Sequence, residues 1–273
     1  MAFTVLATQR SGSNFVAELL RIHPSVDVLN EPFSQHLQIF RELEMEVWRA
    51  SDYDRCYFHR ALRNALETRQ FLGELREWLT RENGYLLGIK ETGLTEKLDW
   101  LGCAFPTKNY IILVRDPRAV VYSVLRRSLQ NSWWQYRSRL KRYLEVHDDE
   151  NIRNELHNLD SDVWVVAKVW QVRMRRLIDF AHRRNALIVR LEDLVESPVD
   201  ITARMMEYLG ASIHSSQERF LGESTTQSRG GTFSTMRRKD DVVSLWKRGL
   251  SQPDITIIAA VVSREAGELG YEI

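Results

Sequence analysis

Short apolar runs and longer amphipathic stretches alternate along most of this chain. Apolar runs of strand length recur between segments whose apolar side chains return every three or four positions, as on one face of a helix. The predicted strands are 3–8, 26–29, 85–90, 109–114 and 186–191. The predicted helices are 13–22, roughly 35–49 and 55–82, 117–128, 162–184, 199–209 and 253–269. This order predicts an α/β fold in which a parallel sheet is flanked by helices on both faces.

Two stretches interrupt this alternation. Residues 129–160 are highly polar, which predicts an irregular insertion. Residues 211–245 are rich in Ser, Thr, Gly and Arg and have weak periodicity, which predicts mobile loops. Because no repeat or low-complexity linker divides the chain, we expect a single domain over residues 1–273.

Composition and charge exclude several classes of protein. The chain has 44% hydrophobic and 27% charged residues, and its net charge of +1 gives no general attraction to nucleic acid or membrane surfaces. The two cysteines, Cys56 and Cys103, are too few for a disulfide scaffold. No run of 18 apolar residues and no signal-peptide pattern is present, so we expect a cytoplasmic protein without a membrane span.

The candidate chemistry lies where the predicted strands end. The segments that follow four of the strands carry polar and charged residues: Gln9–Asn14, Asn30–Phe33, Lys90–Thr92 and Arg115–Arg118. Ligands of parallel α/β sheets bind beyond the carboxyl ends of the strands. The four segments are therefore expected to converge on one site.

The loop Arg10–Asn14 has the composition of an anion site. It joins a strand to a helix, and backbone N–H groups at a helix N-terminus attract anions. The guanidinium of Arg10 is suited to phosphate or sulfate oxygens. The loop lacks the GxxxxGK[ST] pattern of a Walker A motif. The alternative interpretation is a strand–helix turn in which a serine caps the helix.

Several segments together resemble sulfotransferases that use 3′-phosphoadenosine 5′-phosphosulfate (PAPS). Arg10–Phe15 (RSGSNF) resembles the 5′-phosphosulfate loop of that family, and ILVRDPRAVVYSV, which contains Arg115 and Ser123, resembles its 3′-phosphate segment. The stretch VRLEDLVESP is similar to a strand-end segment of the family. Trp246–Leu250, followed by a helix and Leu269–Tyr271, resembles the tail of the carbohydrate and tyrosyl-protein branches. The resemblance implies a P-loop-like α/β fold, PAPS as the donor and no metal requirement.

The resemblance also implies a set of donor-binding residues. The loop members would hold the 5′-phosphosulfate, Arg115 and Ser123 the 3′-phosphate, and Phe15 one face of adenine. Phe233 is a candidate for the other face of adenine, and Arg237 and Arg238 resemble a basic cluster for the 3′-phosphate, which places the loops of 211–245 near the donor. The full set of expected donor-binding residues is Arg10, Ser11, Gly12, Ser13, Asn14, Phe15, Arg115, Ser123, Phe233, Arg237 and Arg238. Alternatively, Arg115 pairs with Asp116 or a neighbouring carboxylate, and Ser123 is a small packing residue.

Three residues are expected to carry out the transfer. Arg10 would neutralise the leaving phosphate, and Lys90 matches a family lysine near the sulfuryl group. Glu31 stands where the tyrosyl-protein and some carbohydrate branches have a glutamate, so we expect it to be the general base. His36 and Glu91 remain rivals, and Glu31 could instead be a carboxylate stabilised by a helix N-terminus.

A charged block lies in the polar insertion and its flanks. Residues 115–142 contain eight Arg or Lys and one acid, and residues 145–162 contain seven acids and one Arg. The aromatic side chains Trp133, Trp134 and Tyr136 could stack on a sugar ring or pack against the core. No recognised nucleic-acid module accompanies the charge, so we expect no nucleic-acid partner.

The sequence thus predicts metal-independent, in-line transfer of a sulfuryl group from PAPS to a hydroxyl of a small-molecule or glycan acceptor, with a carbohydrate as the first candidate. A second hypothesis is an ATP-dependent P-loop kinase, but the Walker A lysine and a clear pair of Mg²⁺ ligands are missing. A third is a non-catalytic protein that binds nucleotides or anionic polymers.

Overall fold

Five strands form one parallel sheet in the computed structural model, which describes residues 2–33, 66–82, 84–105, 107–126, 133–147, 149–226 and 239–273. The strands are β1 (Ala2–Ala7), β2 (Val26–Asn30), β3 (Leu86–Glu91), β4 (Asn109–Val114) and β5 (Leu187–Arg190). Their order in the sheet is β2-β3-β1-β4-β5, and every neighbouring pair is parallel. The central strand is therefore β1.

Helices connect the strands and follow the last one. They are α1 (Ser13–Arg21), α2 (Leu66–Thr80), α3 (Leu98–Ala104), α4 (Pro117–Arg126), α5 (Trp133–Glu145), α6 (Glu150–Asn154), α7 (Asp162–Arg184), α8 (Leu191–Glu196), α9 (Pro198–Tyr208), α10 (Ser215–Thr226), α11 (Lys239–Val243), α12 (Leu245–Gly249) and α13 (Gln252–Glu268). Among these described residues, no helix is long and apolar enough to cross a membrane.

The core lies on both faces of the sheet because successive side chains of a strand point to opposite sides. In β1, Phe3 and Val5 belong to an apolar cluster with α1, α9 and α10, whereas Leu6 belongs to a larger cluster with α2, α3, α4, α7 and α13. In β4, Ile111 and Ile112 divide between the two clusters in the same way. The predicted α/β class, with a parallel sheet covered on both faces, is confirmed.

The prediction of an irregular insertion over 129–160 is wrong for most of that stretch. The stretch contains α5, α6 and a 3₁₀ turn at Leu156–Asn158. Leu140, Tyr143, Leu144 and Ile152 are buried in the same cluster as α7. Their spacing is helical, but the surrounding charges conceal it. These charges pair across the insertion: Arg137 forms an ion pair with Asp162.

The prediction of loops over 211–245 is wrong for three segments, α10, α11 and α12. Phe220 and Leu221 of α10 join the cluster around α1, and the Gln217 amide donates a buried hydrogen bond of 2.9 Å to the Leu19 carbonyl. Polar residues thus satisfy buried backbone groups here and weaken the periodic signal. The helices α3 and α8 were also not predicted. The predicted helix 35–49 and the first part of 55–82 lie outside the described residues.

A buried glycine fixes how β1 and β3 pack, and it gives the first testable prediction. Gly88 is paired with Phe3 in the sheet, and a Cβ at Gly88 would lie 2.6 Å from Cε1 of that ring. Gly88→Ala should therefore lower the free energy of unfolding by about 1–3 kcal/mol through overpacking.

The matched control is Gly73→Ala in the interior of α2, where an added Cβ meets no atom within 4 Å. This variant should raise the free energy of unfolding by about 0.5–1 kcal/mol, because glycine costs a helix more backbone entropy than alanine does. Denaturant titration measures both values. Equal effects of the two substitutions would contradict the packing argument.

Candidate functional site

The loop between β1 and α1 is shaped by two residues with left-handed backbone. Arg10 has φ +69° and Gly12 has φ +83°. Gly12 is the N-cap of α1, so the alternative interpretation, in which a serine caps this helix, is wrong. A glycine supplies no capping oxygen, which leaves the first-turn N–H groups of α1 to attract an anion. The hydroxyls of Thr8 and Ser11, 2.7 Å apart, hydrogen-bond beneath the turn and fix its shape.

A fully buried cation ties this loop to two neighbouring strand ends. The Lys90 side chain is 0% exposed, and its Nζ donates to Asn14 Oδ1 at 2.9 Å and to Glu31 Oε1 at 2.7 Å. Thr92 Oγ1 also donates to Glu31 Oε1, at 2.8 Å. The structure therefore brings three of the predicted site residues together. Thr92 is a fourth member, which the sequence placed in a converging segment without a role.

A second cation group lies beside the first. Arg10 Nε donates to Ser123 Oγ at 3.0 Å, and Arg115 Nη1 donates to the Arg10 carbonyl at 2.9 Å. Arg115 Nη2 donates to the Val242 carbonyl at 2.8 Å. The residues expected at the 5′- and 3′-phosphate positions are thus in direct contact. Ser123 is also more than a packing residue, because its hydroxyl accepts from Arg10.

The Asp116 carboxylate that follows Arg115 in sequence has a different partner. Arg118 forms an ion pair with Asp116 at 2.8 Å and donates to both carboxylate oxygens. The guanidinium carbon of Arg118 also lies 4.2 Å from the centre of the Trp246 ring. Asp116 thus pairs with Arg118 rather than with Arg115, and helix α12, which contains Trp246, packs on the start of α4.

A buried carboxylate supports the turn after β4. Glu192 accepts from the Asp116 N–H at 3.1 Å and from the Tyr271 hydroxyl at 2.8 Å. Burial raises the pKa of Glu192, and the hydrogen bond from Asp116 opposes this shift. Burial and the adjacent Glu192 charge raise the pKa of Tyr271 well above its usual range, so this hydroxyl is a proton donor at neutral pH. The sequence indicated these positions only through their resemblance to family segments.

Other candidates have different outcomes. Phe15, expected against adenine, stacks on Phe220 with ring centres 5.5 Å apart, and its contact with a base stays a prediction. Glu91, a rival base, is buried and accepts from the Phe33 N–H at 2.7 Å, which gives it a structural partner. The remaining candidates lie outside the described residues or have side chains that do: His36, Phe233, Arg237, Arg238, Trp133, Trp134 and Tyr136.

The site combines the N-terminus of a helix, two arginines, a buried lysine and a carboxylate. The cationic groups can bind and stabilise an anionic group during its transfer, and the carboxylate can accept a proton. A model of the Sulfotransferase family matches residues 3–215. The chain belongs to this family and is a sulfuryl-transferring enzyme, which confirms the resemblance found in the sequence.

Solved sulfotransferases share the fold across nearly the whole chain. The sulfotransferase domain from the curacin biosynthetic pathway is 18% identical, with a TM-score of 0.58 over 99% of this chain and 98% of its own. The domain from the Synechococcus PCC 7002 olefin synthase is also 18% identical, with a TM-score of 0.56 over 100% and 95%. Mouse sulfotransferase SULT7A1, solved with PAP, is 11% identical, with a TM-score of 0.54 over 97% and 83%. No curated protein sequence matches this chain.

The geometry of the anion loop predicts that Gly12 tolerates no side chain. A Cβ at Gly12 would lie 2.8 Å from Leu191 Cδ2 and would also require a left-handed alanine. Gly12→Ala should cost about 1–2 kcal/mol of unfolding free energy for the backbone and about 1–3 kcal/mol more for the contact with Leu191.

Gly210 provides the matched control for this prediction. Its φ of +81° is nearly the same, but a Cβ there meets no atom within 4 Å. Gly210→Ala should therefore show only the backbone cost when both variants are unfolded with denaturant. Equal losses would mean that Leu191 does not limit the space beneath the loop.

Proposed function

We propose that this enzyme transfers the sulfuryl group of PAPS to an acceptor hydroxyl, with Glu31 as the general base. The observation that carries the proposal is the contact of Lys90 with both Asn14 and Glu31, which places a carboxylate beside the anion loop. Membership in the family and the PAP complex of the mouse relative support PAPS as the donor.

The residues present fit the charge of such a donor. The N-terminus of α1, Arg10 and Arg115 provide positive potential at adjoining points, and Ser123 adds a hydroxyl bonded to Arg10. We assign the loop residues to the phosphosulfate and the group formed by Arg10, Ser123 and Arg115 to the phosphates. Phe15 remains the proposed adenine contact. Phe233, Arg237 and Arg238, which lie outside the described residues, complete the proposed donor set.

Glu31 accepts the proton of the acceptor hydroxyl in the proposed reaction. Its side chain is 29% exposed and can be reached by an acceptor, whereas its partner Lys90 is fully buried. As the hydroxyl oxygen forms its bond to sulfur, the bond from sulfur to the phosphate oxygen breaks and that phosphate keeps the electron pair. The proton passes to the Glu31 carboxylate, and Arg10 neutralises the charge left on the phosphate. This in-line course needs neither a covalent enzyme intermediate nor a metal, and both points are part of the proposal.

Lys90 has a separate part in the proposed reaction. An ammonium group has three N–H donors, and within the described part of the chain the partners of Lys90 Nζ are Asn14 and Glu31. We assign its third N–H to an oxygen of the sulfuryl group, where negative charge must be stabilised during transfer. This cation is already desolvated, so its interaction with that oxygen is strong.

For the acceptor, we propose a small molecule or glycan with a free hydroxyl, and a carbohydrate is the first candidate. The position of Glu31 and the Trp246–Leu250 tail resemble the carbohydrate and tyrosyl-protein branches. A panel of sugars, phenols, alkyl alcohols and tyrosyl peptides, each incubated with labelled donor, would identify the class.

The donor assignment predicts a selective thermal shift. Adenosine 3′,5′-bisphosphate should raise the melting temperature strongly, because ligand at 100 times its Kd stabilises the folded state by about 2.7 kcal/mol. ATP and ADP, which lack the 3′-phosphate, should raise it weakly with or without Mg²⁺. Equal stabilisation by ATP with Mg²⁺ would contradict the assignment of Arg115 and Ser123 to a 3′-phosphate.

The assignment of the base predicts the effect of Glu31→Gln. Glutamine keeps an oxygen that can accept from Lys90 and Thr92 but cannot take up the proton, so kcat should fall by at least about 10²-fold. Affinity for adenosine 3′,5′-bisphosphate should stay near wild type. The matched control is Asp27→Asn, an exposed carboxylate on β2, the strand that precedes Glu31, and it should leave kcat unchanged. Nearly full turnover of Glu31→Gln would exclude Glu31 as the base.

A further inference from the structure

The residue proposed as the base has an unusual backbone conformation. Glu31 has φ +52°, in the left-handed region that residues with a Cβ rarely adopt. Such a conformation is strained and persists only where surrounding contacts enforce it. Glu31 follows directly after β2, whose last residue, Asn30, is paired with Lys90. The contacts that enforce the conformation should therefore come from the end of β3.

Two hydrogen bonds from the end of β3 hold the backbone of this turn. The Glu31 N–H donates to the Lys90 carbonyl at 2.7 Å, and the Phe33 N–H donates to Glu91 Oε1 at 2.7 Å. Glu91 is 3% exposed, and Phe33 is 0% exposed. The turn is thus fixed on both sides of Glu31, so its side chain leaves the backbone in a defined direction.

The carboxylate itself is fixed through one of its two oxygens. Oε1 of Glu31 accepts from Lys90 Nζ at 2.7 Å and from Thr92 Oγ1 at 2.8 Å. Within the described part of the chain, Oε2 has no hydrogen-bond partner. Two donors on one oxygen restrict rotation of the carboxylate plane, which is otherwise a soft torsion. The oxygen that carries no bond is then the one presented for proton transfer.

We propose that Thr92 is a positioning residue that holds Glu31 Oε1 and thereby presents Oε2 to the acceptor hydroxyl. The inference rests on the proposed role of Glu31 as base. Lys90 alone leaves the carboxylate free to rotate about a single contact, and Thr92 supplies the second point. Thr92 is 6% exposed, so its hydroxyl is held close to Glu31 by packing and is not replaced easily by water.

The test compares Thr92→Val, which keeps the shape and removes the hydroxyl, with Thr92→Ser, which keeps the hydroxyl. Thr92→Val should lower kcat by about 10- to 100-fold, the scale of a misplaced catalytic group, with little change in KM for the donor. Thr92→Ser should restore most of kcat. The thermal shift with adenosine 3′,5′-bisphosphate verifies that each variant is folded, and Thr92→Ala replaces Thr92→Val if the valine variant does not fold.

A double-mutant cycle with Glu31→Gln separates this inference from the function itself. If Thr92 acts through Glu31, Thr92→Val should cause little further loss of kcat in the Glu31→Gln background. The same loss in both backgrounds, or a Thr92→Val enzyme with nearly full kcat beside an impaired Glu31→Gln enzyme, overturns the role of Thr92 only. A fully active Glu31→Gln enzyme overturns the base assignment and the inference together.

Discussion

The packing of the strand ends and the arrangement of the site both depend on the buried ammonium group of Lys90. A cation with no solvent exposure must be paired, and its partners are Asn14 in the first turn of α1, which follows β1, and Glu31 just after β2. Three strand ends therefore meet at one nitrogen. Removing either partner would leave a desolvated charge with reduced compensation, which is among the costly changes a protein can undergo. The geometry needed for chemistry is also geometry needed for folding.

Arg115 connects a second set of elements in a similar way, but through neutral carbonyl groups. Its guanidinium donates to the carbonyl of Arg10 in the central loop and to that of Val242 in α11. The planar fork of an arginine can hold two acceptors at once, which a lysine ammonium cannot do with the same geometry. The residues matched by the family model end at 215, yet Val242 and Trp246 contact Arg115 and Arg118 after β4. Tyr271 donates to Glu192, which accepts from the Asp116 N–H. The C-terminal segment thus packs against Arg115, which is proposed to bind the donor, and against the start of α4.

The strands and the longest helix could be predicted because their burial is simple. Strand 109–114 and helix 162–184 agree with the structure at both ends, and the sheet follows from their alternation. The helices within 133–154 could not be predicted from the sequence, because charged residues there outnumber the few apolar residues that pack on α7. In the site, the convergence of Glu31 and Lys90 follows from strands that run parallel and end together. The role proposed for Thr92 could not be predicted in this way, because no pattern in a single sequence indicates which hydroxyl lies near which carboxylate oxygen.

Ion pairs of two kinds hold different parts of this molecule, and salt affects them differently. The insertion is attached to α7 in part by solvent-accessible pairs, such as Asp149 with Arg175 at 3.5 Å, whose side chains are 26% and 40% exposed. Lys90 and Glu31 pair with the cation fully enclosed. Raising the ionic strength from about 0.15 M to 1 M shortens the screening length from about 8 Å to about 3 Å, which weakens surface pairs far more than enclosed ones. In concentrated electrolyte, the exposed pairs should therefore weaken while the carboxylate and the ammonium remain joined, and the buried side chains Leu140, Tyr143, Leu144 and Ile152 should still hold the insertion on α7.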